Sequence, residues 1–240
     1  MKINISPYKV GLYFYYQCPR HLIFGSLSSE DKIKFNIPTE PFERSPVSTA
    51  ILEGGYDWEE IVIKNKLRNK VIIPERPDDI QIRDRFFTQE ETLEILSSLL
   101  PGKYIYQAQL IAPHSLYKSL NLDPLEVEFK ASKPDLIYFN ISEKKKCLEI
   151  IDIKASDRLK TSHKLQVAMY SLILRHMIEE FKLPYDLVSE KGAVWLYEKD
   201  EPEYFNLSNV LPHLEDFLKN DLKEFLKSNP HDLPWHLYSK

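Results

Sequence analysis

The stretch EIIDIKAS, Glu149 to Ser156, decides the fold. Its branched apolar residues between charged ones predict a β-strand. Side chains at i and i+2 share a face of a strand, so Asp152 and Lys154 point one way while Ile151, Ile153 and Ala155 point the other. The isoleucines anchor the strand. An acid and a base so placed ordinarily form an exposed ion pair worth under about 1 kcal/mol, so the flanking sequence must decide whether this face is merely wet or the floor of a site.

Upstream, apolar runs predict strands over Lys103 to Ile111, Glu126 to Lys130, Pro134 to Asn140 and Lys146 to Lys154, the last two joined by a turn through Ser142 to Lys145 with Lys144 to Lys146 at its tip. Downstream, a helix is predicted over Lys160 to Phe181, then strands over Ala193 to Tyr197 and Glu203 to Phe205, and a helix over Ser208 to Lys227. Before the strands, helices are expected over residues 8–26, over Ser48 to Lys70, and from the capping signature Thr88 with Glu91 to Pro101 and Gly102. Between them, Ser28 to Pro46 reads as a loop and Val71 to Pro74 as a short strand. Gly54 and Gly55 inside a helical pattern suggest that something approaches the backbone there. This order predicts an α/β fold, a central mixed sheet flanked by helices: one domain with a core of about 48–206 and helical extensions at 1–47 and 207–240.

With 240 residues, 43% hydrophobic and 28% charged, the chain has the composition of a globular domain, and no apolar run reaches the roughly 20 residues of a membrane span. No secretory signal or membrane association is expected. Two cysteines, Cys18 and Cys147, can build neither a disulfide framework nor a four-cysteine metal site, which fits a cytoplasmic setting and a Cys18 that acts as a buried small hydrophobe. Neither glycine-rich phosphate loop is present, which excludes nucleotide-binding sites of those kinds. The net charge of −4 argues against non-specific coating of nucleic acid. The densest basic cluster is Lys154, Arg158, Lys160, His163 and Lys164.

Three features converge on the opening strand. A hairpin turn would set Asp135 beside Asp152, with facing side chains about 5 Å apart. Two carboxylates that close need a cation or a shared proton between them, and a hard divalent ion suits an incomplete oxygen cage. Lys154, on the same face, could orient a water, neutralise charge on a phosphate, or act as a base if its pKa were depressed. Gln166 and Tyr170, four apart on the long helix, share a face that continues into Ile173 and Met177 and therefore turns inward.

Taken in order, Lys133-Pro134-Asp135, Asp152-Ile153-Lys154 and Gln166 to Tyr170 (Q-x-x-x-Y) resemble the PD-(D/E)XK phosphodiesterase superfamily in its RecB-like nuclease branch, close to the CRISPR-associated RecB-like exonucleases. The similarity is carried by residues 126–178. It implies a restriction-endonuclease-like core and a Mg²⁺- or Mn²⁺-dependent deoxyribonuclease, an exonuclease of DNA repair, recombination or defence. Single-stranded DNA or duplex ends would be its substrate, and a helicase or another repair or defence subunit a partner. A catalytically silent module that binds DNA or a partner is the alternative.

By the same resemblance, Asp135, Asp152 and the Ile153 carbonyl would hold metal, together with Glu59, which stands where the branch has the histidine of G-x-x-x-H; Asp57 or Glu60 could serve in its stead. Lys154, Gln166 and Tyr170 would complete the catalytic set, and Arg158, Lys160, Lys164 and Tyr170 would contact DNA, with Lys160 and Lys164 as one stripe. Tyr16 to Arg20 looks like the Cys-Pro opening of such nucleases. Relatives with an iron–sulfur cluster add three cysteines near the C-terminus, which this chain lacks, so no cluster is expected.

Overall fold

A computed structural model describes residues 1–39 and 45–234. Its centre is the hairpin of β5 (Leu136–Ser142) and β6 (Lys145–Lys154), paired antiparallel from Leu136 opposite Ile151 to Ser142 opposite Lys145. Glu143 and Lys144 form the two-residue tip, both with positive φ (51° and 67°), as a turn whose twist matches the strands requires. On one side follow β3 (Tyr104–Tyr106), antiparallel to β5, and β2 (Val71–Ile72), parallel to β3. On the other, β8 (Lys191–Leu196) runs parallel to β6, β9 (Glu203–Asn206) closes the edge antiparallel to β8, and β7 (Leu187–Val188) pairs with the start of β6. The result is a mixed seven-stranded sheet.

The crossover from β6 to β8 is α7 (Thr161–Glu180), buried from Leu165 to Ile178 on nearly every side. A helix apolar all round must be covered on both flanks. It lies on the sheet face that carries Ile137, Leu148, Ile150 and Val194, and α1 (Pro7–Tyr16) and α8 (Leu211–Asp216) cover its back. The opposite sheet face receives Trp58 from α4 (Pro46–Ile61) and Val62, Ile63 and Leu67 from the π turn Val62–Leu67, packed on Ile151, Ile153 and Trp195. Trp58 Nε1 donates to the Trp195 carbonyl at 3.4 Å.

Several elements depart from the sequence reading. The single helix over 8–26 is two, α1 and α2 (Pro19–Ser26), because Gln17 turns left-handed (φ 48°) and Pro19 keeps Cys18 extended. The loop over Ser28 to Pro46 contains α3 (Ser29–Lys34), capped by Ser28 on the Asp31 amide, and its residues 40–44 lie outside the described ones. The strand over Lys103 to Ile111 stops at Tyr106, where Gln107 takes φ 45°. The strands β1 (Ile3–Ile5) and β7 and the helix α6 (His114–Leu120) also went unpredicted, while α5 (Gln89–Ser98) has its capping box. The predicted strand at Glu126 to Lys130 is β4 (Val127–Phe129), but it pairs with β1 outside the main sheet.

The N-terminal extension is therefore not purely helical, and Ile3, Ile5, Val10 and Ile23 belong to the same core as α7. The predicted C-terminal helix is helical from Leu211 through a π segment to α9 (Leu222–Lys227). Nothing presses on Gly54, and Gly55 meets only the Ala155 Cβ at ordinary van der Waals distance, so the expected close approach is absent among the described residues. Ile51 and Leu52 of α4 are exposed.

Cys18 is buried, yet it is more than a small hydrophobe. Its Sγ accepts the His21 amide as helix cap and lies 3.9 Å from the Pro234 carbonyl, while Arg20 donates to the carbonyls of Leu233 and His231. The Cys-Pro-Arg segment thus clasps the C-terminal run.

Candidate active site

The pairing of Leu136 with Ile151 places Asp135, one residue earlier, across from Asp152 at the open end of the hairpin. Asp135 Oδ2 accepts the Ile153 amide at 2.6 Å. Asp152 is 1% exposed, and the Lys154 ammonium stands 2.6 Å from its Oδ2. The two form a buried ion pair. Ile153 itself is buried against Trp58 and Trp195.

From the other face of the sheet α4 brings Glu59, whose Oε1 accepts the Tyr106 hydroxyl at 2.6 Å and Gln107 Nε2 at 3.1 Å. Burial raises the Glu59 pKa and the Asp152 charge adds to it, against the opposing pull of Tyr106, Gln107 and Lys154. Burial, then Asp152 and Glu59, push the Asp135 carboxyl well above the ordinary carboxylate range. Three carboxylates therefore repel one another here. Asp57 and Glu60, the alternatives to Glu59, are exposed, and Glu60 pairs with Lys64.

Lys154 is the counterweight. Burial alone would lower its pKa, but Asp152, Asp135 and Glu59 outweigh that and hold it above the ordinary lysine value. The shift is upward, opposite to the depressed pKa that the base role considered from sequence requires. On α7, Gln166 Nε2 donates to the Tyr170 hydroxyl at 3.0 Å. Burial, then the charges of Asp152 and Asp135, raise the Tyr170 pKa strongly, so its phenol stays neutral beside the acids.

The basic cluster divides. Lys160 lines a cleft of about 370 Å³ together with Lys154 and Gln166. Lys164 instead leans over the Phe205 ring, 5.9 Å from its centroid, so the two do not form one stripe. Arg158 is exposed on the loop before α7 and does not line that cleft. His163 does line it, but burial, then Lys154 and Lys160, push its pKa down to about 4, and it is neutral near pH 7.

Sequence reasoning missed Tyr106, Gln107 and the site position of His163. His163 was findable, since it stands at i−3 from Gln166 and i−7 from Tyr170 on one helical face. Tyr106 and Gln107 carried no local signal. No group of three or more acidic, histidine or cysteine side chains stands in a metal-holding arrangement among the described residues. The Lys154 ammonium is the positive charge beside Asp152.

No family model matches the chain, and no curated protein matches it.

Proposed function

We propose that this protein is a metal-dependent deoxyribonuclease of the RecB-like branch of the PD-(D/E)XK superfamily, with β5, β6 and α7 in the roles of a restriction-endonuclease-like core. The observation that carries the reading is the placing of Asp135 against Asp152 at the hairpin's open end, with Lys154 at 2.6 Å from the latter. The donors fit a hard divalent cation. Asp152 is buried with only the Lys154 ammonium against its Oδ2, Asp135 and Glu59 repel it and each other, and every candidate ligand atom is oxygen. Glu59, Asp135, Asp152 and the Ile153 carbonyl would hold Mg²⁺ or Mn²⁺, which when bound acidifies a coordinated water and polarises a phosphate.

The chain's own groups do the rest. Lys154, as an ammonium, donates a hydrogen bond to the phosphate and neutralises charge as water adds to phosphorus, its proton passing to solvent, and the bridging P–O bond breaks, the departing alkoxide taking a proton from solvent. Gln166 Nε2 donates a hydrogen bond to the Tyr170 oxygen, which leaves the Tyr170 hydroxyl hydrogen to donate to an anionic oxygen of the substrate. Tyr106 and Gln107 fix the Glu59 carboxylate before any ion arrives.

The test is cleavage of end-labelled single-stranded and duplex DNA with Mg²⁺ or Mn²⁺, run beside Asp152→Ala and Lys154→Ala. The wild type should cleave only with metal and both variants should be inactive. A wild type inert with either ion, or variants as active as the wild type, would overturn the proposal. DNA binding that persists without any cleavage would mark the chain as a silent binding module.

A further inference from the structure

The sheet face that receives α4 carries a cavity of about 560 Å³ near the hairpin tip, with Tyr138, Glu149, Ser189 and Tyr204 in its lining. Side chains alternate along a strand, so Glu149 shares the face of Ile151 and points away from that of Asp152. None of the groups proposed to hold metal lines this cavity.

The carboxyl of Glu149 is buried without a paired charge. What bears on it is the Ser189 hydroxyl at 3.4 Å, the Tyr204 hydroxyl, and the charge of Lys191, which makes no ion pair with it among the described residues. Burial outweighs all three. A carboxylate taken out of water without an ion-pair partner is costly, whereas glutamine could accept the same hydroxyls at less cost. The retained charge fits a cation that enters from the cavity.

The neighbours of Glu149 indicate what kind of cation. Tyr138 is its direct partner across the hairpin, and the Tyr138 ring stacks on that of Tyr104 from the next strand, with centroids 4.4 Å apart and planes 23° from parallel. Tyr104 takes one face of the Tyr138 ring, so the other turns toward β6 and Glu149. Around the cavity, the carboxylates of Glu143, Glu149 and Glu190 outnumber the ammonium groups of Lys145 and Lys191 by one.

We propose that this cavity is a binding site for a guanidinium group, laid on the Tyr138 ring with its fork of N–H donors directed at the Glu149 carboxylate. A guanidinium is planar and weakly hydrated, stacks on aromatic faces, and pairs bidentately with a carboxylate. An ammonium is a strongly hydrated point charge that lacks the fork. The inference does not rest on the nuclease reading.

Calorimetric titration of the full chain tests it with two probes: N-acetyl-argininamide, and a short, otherwise uncharged peptide with one central arginine. Each is run beside its lysine counterpart and its citrulline counterpart, which keeps the shape of arginine without the charge. The arginine probes should bind one to one, and the lysine and citrulline forms at least about tenfold more weakly. Glu149→Gln should weaken both arginine probes about 10- to 100-fold and Tyr138→Leu about 3- to 10-fold, with melting curves showing that both variants are folded. Tighter binding of the peptide than of the amide would assign the guanidinium to a protein partner, and equal binding to a free small molecule. An arginine probe series that does not bind, lysine or citrulline forms that bind as tightly, or a folded Glu149→Gln variant with full affinity would overturn the inference. The nuclease reading would stand in each case, because the two sites share no residue.

Discussion

Asp135 reaches across the head of the central hairpin to take the amide of Ile153 at 2.6 Å, so a backbone donor holds one carboxylate against another, that of Asp152. Asparagine can accept the same amide while removing one of the repelling charges. Asp135→Asn should therefore leave metal-free stability unchanged or raise it by up to about 1 kcal/mol. Mn²⁺ at a hundredfold excess over its Kd should stabilise the wild type by about 2.7 kcal/mol, roughly 5–10 °C in Tm for a domain of this size. The variant should lose that shift. Thermal melts in EDTA and Mn²⁺ measure both, and a wild type whose Tm ignores Mn²⁺ and Mg²⁺ would contradict the ligand set.

Tyr106 gives Glu59 its shorter hydrogen bond. Tyr106→Phe keeps the ring in its place between the sheet and α4 but frees the carboxylate to turn. By the usual effect of groups that orient a ligand, Mn²⁺ affinity should fall about 10- to 100-fold. Calorimetric titration of both proteins reads it, and equal affinities would show that Glu59 is not a ligand.

Gly11 and Gly25 make a matched pair of tests. A methyl group on Gly11 would collide with the Ser162 carbonyl, backbone against backbone, whereas one on Gly25 meets nothing within 4 Å among the described residues. Gly11→Ala should cost about 1–3 kcal/mol and Gly25→Ala should gain about 0.5–1 kcal/mol. Urea unfolding of the two variants decides it, and a neutral Gly11→Ala would mean that α1 can move off α7 at no cost.

Glu149 supplies a pH test away from the acidic cluster. It is 9% exposed, and burial raises its pKa against the opposing effects of Tyr204, Ser189 and Lys191. A carboxyl whose folded pKa is raised favours the folded state while protonated. Its contribution is complete below the ordinary value of about 4.3 and is lost as pH rises through the folded value. Glu149→Gln should remove that decline and stabilise the protein at pH 8 by on the order of 1 kcal/mol. Parallel pH-stability curves for the two proteins would refute this.

The hairpin and α7 were legible in sequence because their signals are local: alternating branched residues for β5 and β6, a polar two-residue tip between them, and a long apolar helix. Facing of Asp135 and Asp152 followed from that register alone. The break at Gln17 was also legible, since the following Cys18-Pro19 disfavours a continuous helix, and Ser28 with Asp31 signalled α3 inside a stretch that looked merely polar. The strand β1 was not, because three residues give no periodicity and its partner β4 is remote in the chain. Nor were the donors to Glu59, which a left-handed residue, Gln107, brings together with α4. That Lys160 and Lys164 diverge depends on Phe205, far along the chain.

The clasp between Cys18-Pro19-Arg20 and residues 231–234 has a mechanical meaning. The two helical flanks of the sheet are not separate handles but one closed hoop, fastened at the clasp and again where Tyr13 and Phe14 grip Phe217. Tension applied at the two flanks would load the clasp first, then the aromatic grip and the glycine contact of α1 on α7, and only afterwards the hydrogen-bonded strands. The paired aspartates, held by the strands themselves, would part last.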